Sequence, residues 1–435
     1  MKTIIKQLIA CLLIALVLVG CAPKLPDATI NGVNISAYTL VYDSSGPDYC
    51  KRAAQYIQQQ IKSRTGVELT VSDSSGSFNH EILIGQTDRP LSKAAAPKSM
   101  TLDFHIAADE NHIAINANLF VIAAAAYYFV QTYIPGNNFQ SSIPKDSVTT
   151  AQPITQKPDH FIFLIGDGMG DNHIQLLEDH TADPFYGLYL PYRGSLHTDC
   201  LTGTTDSAAA STALACGYKT NKGMVGMNPD GEDLQSLTEL AGSLGMATAI
   251  MTTDRRTGAT PSGFTAHAAD RDDTDDILAD QVQLVEDYGT VFNYGLDSAY
   301  SLESYIFETL EQVNASEKGF FLMYEEAHID KHSHKNDITK TVSVMNRFNQ
   351  AIGIFMEYAF YHPNTFLIIT ADHETGGLIP NEENVLGFTQ EEHSPVDVSI
   401  FGYGQGAEVF DAQAKENNEV AKIIASMWGV KDFGN

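Results

Sequence analysis

"HFIFLIGDG", residues His160–Gly168, runs apolar from its second residue and stops at an aspartate. Three other segments share this texture: "ATAIMTTD" (Ala247–Asp254), "GFFLMYEE" (Gly319–Glu326) and "TFLIITADHE" (Thr365–Glu374). A strand with one wet face alternates apolar and polar residues, whereas a strand covered on both faces reads as a continuous apolar run. Long amphipathic segments lie between the runs, such as "EDLQSLTELAGSLG" (Glu232–Gly245) and "DITKTVSVMNRFNQAIGIFMEYAF" (Asp337–Phe360). Strand and helix in alternation predict an α/β fold, a three-layer sandwich around a mostly parallel sheet.

Each run ends at its carboxyl side in polar residues: Asp167, Asp254, Glu325 and Asp372-His373. Open α/β sheets place ligands beyond the carboxyl ends of their strands, so these groups are expected on one rim. Asp330 and His334 follow Glu325 at i, i+4 spacing, which puts a carboxylate and an imidazole on one helical face. Each residue alone is explained by capping or solvation. Together, Asp167, Glu325, Asp330 and Asp372 would repel one another on a shared rim unless cations neutralised them. Mixed Asp/His ligation suits zinc, and a carboxylate-hydroxyl set suits magnesium. Asp254 reads as a turn residue.

"TTDSAAASTALACGYKTNKG" (Thr204–Gly223) poses a sharper question. Thr205, Asp206 and Ser207 are all N-cap types, the alanines favour helix, and Gly217 suits the C-terminal stop. Taken alone, Ser207 reads as a cap as readily as a nucleophile.

The ordered motifs "FIFLIGDGMG", "TTDSAAASTALACGYKTNKGMVG", "GATPSGFTAHAADR", "GFFLMYEEAHIDKHSH" and "LIITADHETGGL" resemble the alkaline phosphatase family. The resemblance spans residues 159–435. It implies that Ser207 is the nucleophile that becomes phosphorylated and that Arg271 grips two phosphate oxygens. It further implies two Zn2+ and one Mg2+ per chain: Asp330, His334 and His393 for the first zinc, Asp167, Asp372 and His373 for the second, and Asp167, Thr260 and Glu325 for magnesium. Lys331 is a candidate water-mediated phosphate contact. Gly258 stands where some family members carry an acid or histidine near the third metal. His267, His328 and His332 read as structural or solvated. The expected activity is metal-dependent hydrolysis of phosphate monoesters through a phosphoserine. A phosphodiesterase or a sulfatase on the same fold is the rival enzyme, although the C/S-x-P-x-R motif of sulfatases is missing at the nucleophile.

The rest of the chain sets the context. A formal charge of −28 and no basic stripe argue against nucleic acid as a stable partner. Lys2 and Lys6 precede an apolar run ending in Leu18-Val19-Gly20-Cys21, which resembles the lipobox of bacterial lipoproteins. Residues 1–20 are therefore expected as a signal peptide, with lipidation at Cys21, a tether over 21–30 and a lipid-anchored, extracytoplasmic place in the bacterial cell envelope. Residues 31–138 read as a small α+β accessory domain, with "EILIG" (Glu81–Gly85) as its best local feature. It resembles the non-catalytic domain of bacterial hexosaminidase-like enzymes, which leaves glycan binding by a surface lipoprotein as a second functional class. A Ser/Thr/Pro-rich linker is expected over 139–158 and the catalytic domain over 159–435. A homodimer is left open. Cys50, Cys200 and Cys216 lack a CxxC spacing and read as buried free thiols, a Cys200–Cys216 pair being undecided.

Overall fold

A computed structural model of the protein describes residues 26–145, 147–296 and 301–435; the expected signal peptide and Cys21 lie outside them. The chain divides into two compact units, one running to Gln152 except for Met100–Leu102, the other comprising those three residues and Pro153–Asn435.

The first unit is built on strands β1 (Thr39–Tyr42), β2 (Thr70–Asp73), β3 (Glu81–Ile84), β4 (Phe104–Ala108), β5 (His112–Ala117) and β6 (Val148–Ala151). They form one sheet in the order β2-β1-β3-β5-β4-β6, parallel from β2 to β5 and antiparallel across β4. Helices α1 (Asp48–Thr65) and α2 (Val121–Tyr133) pack against each other beside it. In α1 the buried residues Cys50, Ala53, Ala54, Ile57 and Ile61 recur at helical spacing, and Gly66, at φ 77°, ends the helix in the left-handed conformation an L side chain resists. Two expectations are corrected here. Residues 139–151 are not simply linker, because Phe139–Ser141 pairs with Ala28–Ile30 and β6 pairs with β4. The tether likewise ends early, since Ala28–Ile30 is a strand. The Ser/Thr content of residues 139–151 read as loop, but Phe139–Ser141 and β6 are edge strands, which need only backbone groups to pair.

The second unit has an eight-stranded sheet: β7 (His160–Gly166), β8 (Tyr192–His197), β9 (Ala247–Thr252), β10 (Val291–Tyr294), β11 (Phe320–Glu326), β12 (Thr365–Thr370), β13 (Val398–Tyr403) and β14 (Ala414–Glu416). The order is β10-β9-β11-β7-β12-β13-β8-β14; the first five strands are parallel, and β13 runs antiparallel to both its neighbours. β7, β11 and β12 are buried at every residue, as continuous apolar runs require. Two helix groups, each packed within itself, supply the outer layers. One contains α3 (Asp171–His180), α8 (Leu302–Val313) and α10 (Ile338–Tyr361). The other contains α4 (Ser207–Cys216), α5 (Leu237–Ser243), α6 (Ala259–Gly263), α7 (Thr274–Tyr288) and α11 (Asn418–Met427). α9 (His328–Ser333) is a short turn after β11. The three-layer α/β sandwich is thus present. Cys200 and Cys216 form no disulfide among the described residues, and Cys200 is only part-buried, contrary to the expectation that all three thiols are buried.

Candidate active site

The sheet register aligns the polar strand ends. Ile165 of β7 lies level with Glu325 of β11 on one side and with Thr370 of β12 on the other. Asp167, Glu325 and Asp372-His373 therefore emerge together, as parallel strands with a common register must place them. The turn after β7 is tight. Gly168 has φ +78°, and a Cβ there would sit 2.8 Å from Asp330 Cα, so glycine is required both by conformation and by space. Its N–H donates to Asp372 Oδ1 at 3.0 Å, and the Asp330 N–H donates to Asp167 O at 2.8 Å.

α9 brings Asp330 and His334 onto one face, with His334 Nε2 3.2 Å from Asp330 Oδ1. His393 arrives from a two-stranded ribbon in which it pairs with Thr375. Its Nε2 lies 3.4 Å from Asp330 Oδ1 and 3.2 Å from His334 Nε2. Asp330, His334 and His393 thus gather ligand atoms within 4.8 Å of one another. A second such group comprises Asp167, Asp330 and His373. Asp372 joins it from the side, its Oδ2 3.2 Å from His373 Nε2.

The capping half of the Ser207 question is answered locally. Asp206 is the N-cap of α4, its carboxylate accepting from the Ala209 N–H at 3.0 Å. Ser207, the first residue of the helix and buried, has its Oγ 3.2 Å from His373 Nε2. Asp206 also holds Arg271, whose Nη1 lies 3.2 Å from Asp206 Oδ2. Sequence reading had not assigned that anchoring role. Nor had it paired Lys331, whose Nζ lies 2.6 Å from Asp254 Oδ1. Asp254 is accordingly more than a turn residue, and a Cβ at Gly258 would approach its Oδ2 to 3.3 Å. Thr375 was missed too; its hydroxyl donates to Asp330 Oδ1 at 2.6 Å. Only its place two residues after His373 hinted at this, since alternate residues of an extended strand share a face. Thr252 donates to Glu325, and the Thr260 hydroxyl, buried beside it, makes no hydrogen bond of standard geometry.

Electrostatics show what this cluster would accept. Burial, then the charges of Asp372, Asp330 and Glu325, push Asp167 well above the ordinary carboxylate range. Burial raises Glu325 to about 7 against the Thr252 and Thr260 hydroxyls. Asp372 rises to about 6, again chiefly by burial. Burial also opposes the charge on Asp330, but hydrogen bonds from His334 and His393 outweigh it and hold this acid well below its usual value. His334 is raised to about 9, mainly by its bond to Asp330. Among the described residues, Asp167 Oδ1 and Asp372 Oδ2 are buried without a hydrogen-bond donor. Buried carboxylate oxygens without donors, facing imidazole nitrogens, are the donor set a divalent cation needs. The residues present fit metal ions.

A family model described as "Alkaline phosphatase" matches residues 159–294 and 282–387. The chain belongs to the alkaline phosphatase family. It is 27% identical over 282 residues to alkaline phosphatase 4 of Bacillus subtilis, covering 50% of this chain and 61% of that protein. It is 29% identical over 303 residues to the alkaline phosphatase of Schizosaccharomyces pombe, covering 51% and 57%. The chain therefore spans less than two thirds of the length of these relatives. Among solved structures, the alkaline phosphatase of the Antarctic bacterium TAB5 aligns with TM-score 0.56 at 24% identity, over 62% of this chain and 98% of that one. The Thermus thermophilus enzyme aligns with TM-score 0.57 at 16% identity, over 65% and 94%. Both share the family fold.

Proposed function

We propose that this protein hydrolyses phosphate monoesters through a phosphoserine formed on Ser207. The carrying observation is the position of Ser207 Oγ, 3.2 Å from His373 Nε2 at the start of α4, beside buried carboxylates that lack donors. Asp330, His334 and His393 would hold one zinc, Asp167, Asp372 and His373 a second, and Asp167, Thr260 and Glu325 a magnesium; such ions acidify a bound water or alcohol and neutralise developing charge. Structures of TAB5 alkaline phosphatase variants hold Mg in a site designated M3, which supports the third assignment.

The chain's own groups do the rest. The amino end of α4 favours negative charge on Ser207 and on a phosphoryl group attached to it. Arg271 offers a planar fork matched to two phosphate oxygens, and Asp206 fixes its orientation. Ser207 Oγ forms a bond to phosphorus as the ester oxygen leaves with the alcohol. Water then attacks phosphorus and releases inorganic phosphate, restoring the serine. The Cys21 lipidation proposed from the sequence would place this reaction outside the cytoplasm. No helix among the described residues is long and apolar enough to cross a membrane.

Ser207→Ala should lower turnover of 4-nitrophenyl phosphate by at least about 1,000-fold, with bound metal unchanged. Wild-type rates in that variant would refute the mechanism. Chelation should abolish activity and zinc with magnesium restore it, whereas faster cleavage of bis(4-nitrophenyl) phosphate than of the monoester would move the assignment to a diesterase.

A further inference from the structure

At the opposite end of the second unit's sheet, near the amino ends of β7 and β11, lies a cavity of about 520 Å³. Its apolar wall comprises Phe161, Leu244, Met246, Met427 and Trp428. Phe161 packs edge-to-face on Trp428 with centroids 5.2 Å apart, and Trp428 packs likewise on Phe321 at 5.8 Å. Leu244, 40% exposed, extends this apolar wall to the surface. The indole Nε1 of Trp428 is buried without an acceptor among the described residues.

Two cations line the same cavity, Lys157 and Lys318. Neither makes an ion pair among the described residues, in a chain with 54 acidic and 26 basic residues. The Lys318 stem passes 4.0 Å from where a Gly245 Cβ would stand, beside Leu244. The one carboxylate of the lining, Asp159, accepts from Asn364 and faces His160 Nε2 at 3.5 Å. The segment carrying Lys157 is pinned to this unit, with the Gln156 N–H donating to Pro363 O at 2.7 Å and the Asp159 N–H to Asn364 O at 3.0 Å.

We infer that this cavity is a binding site for an anionic amphiphile, an aliphatic or aryl carbon body against Phe161, Met246 and Trp428 with its carboxylate at Lys157 and Lys318. The volume suits a small-molecule site, and apolar walls with a few converging polar groups are how such sites fix orientation. The position, beyond the strand ends opposite the metal-ligand cluster, separates this site from phosphate chemistry.

Trp428 is the chain's only tryptophan, so selectively excited tryptophan fluorescence of the protein reports on this cavity directly. Titration with octanoate should give a saturable change. 1-Octanol and octyltrimethylammonium should bind at least tenfold more weakly. The double variant Lys157→Glu, Lys318→Glu changes two exposed side chains and should fold normally by circular dichroism. It should lose octanoate affinity at least tenfold while keeping its 1-octanol affinity and its turnover of 4-nitrophenyl phosphate. No saturable octanoate response, equal affinity for all three probes, or octanoate binding indifferent to the charge reversal would each overturn the assignment.

Discussion

Arg347 is the most informative side chain to remove. Its Nε and Nη2 both lie 2.6 Å from the two oxygens of Glu326, the last residue of β11 and fully buried. Glu326 also accepts from the Thr253 hydroxyl at 2.9 Å and from the His328 N–H at 3.1 Å. Arg347→Met would keep the aliphatic stem and leave the carboxylate buried with those neutral donors and, at best, His328. Breaking one side of a buried pair costs about 3–5 kcal/mol. The guanidinium is partly exposed, so about 3 kcal/mol is expected. For a unit of this size that lowers Tm by about 6–12 °C. In the wild type, burial tends to raise Glu326, but bonds from His328 and Arg347 outweigh it and hold the pKa below normal. The stability it contributes is present above the unfolded-state pKa and fades as pH falls through the lower folded value. Without Arg347 the folded pKa rises, so the deficit should be largest at pH 7 and shrink as the buffer approaches pH 4. The assay is thermal melting at pH 7 and pH 4.5, repeated in a Glu326→Gln background. A loss under about 1 kcal/mol, or the same loss when Glu326 is already neutral, would refute the reasoning.

The remaining predictions concern the site and its supports. Gly168→Ala forces a left-handed backbone and drives a Cβ to 2.8 Å from Asp330 Cα, so it should cost about 2–4 kcal/mol and reduce metal bound per chain, read by urea unfolding and metal analysis. Asp254→Asn releases Lys331 and removes a negative charge near the proposed phosphate site; KM for a monoester should fall about two- to fivefold with kcat nearly unchanged. A rise in KM would mean that Asp254 holds Lys331 in its working position. Burial tends to lower the pKa of His267, but Glu239, Leu234 O and Asp280 outweigh it and raise the value above normal. The resulting stability is present below the unfolded-state pKa and lost as pH rises through the folded one. His267→Gln should therefore cost about 1 kcal/mol more at pH 6 than at pH 9 by urea midpoints.

Much of the layout was legible in the residues. Four short, largely apolar runs between amphipathic segments carry the pattern of strands covered on both faces, and their polar carboxyl ends had to share a rim once the strands ran parallel. The i, i+4 step from Asp330 to His334 fixed that pair for the same local reason. Other relations were invisible because they join segments far apart in sequence through contacts with no periodic signature. Phe139–Ser141 became a strand only because Ala28–Ile30 lay open to pair with it. His393 reached Asp330 through a ribbon pairing with Thr375, and Lys331 met Asp254 across separate elements. The sequence by itself determined the central strands of the larger sheet, their burial on both faces and the residue types at their carboxyl ends. Tertiary structure alone decided that Asp206, while capping α4, also orients Arg271 and that the Ser207 hydroxyl faces His373. Burial and helical periods are local properties of a chain, whereas the partner of a polar side chain is set by folding together segments that carry no record of one another.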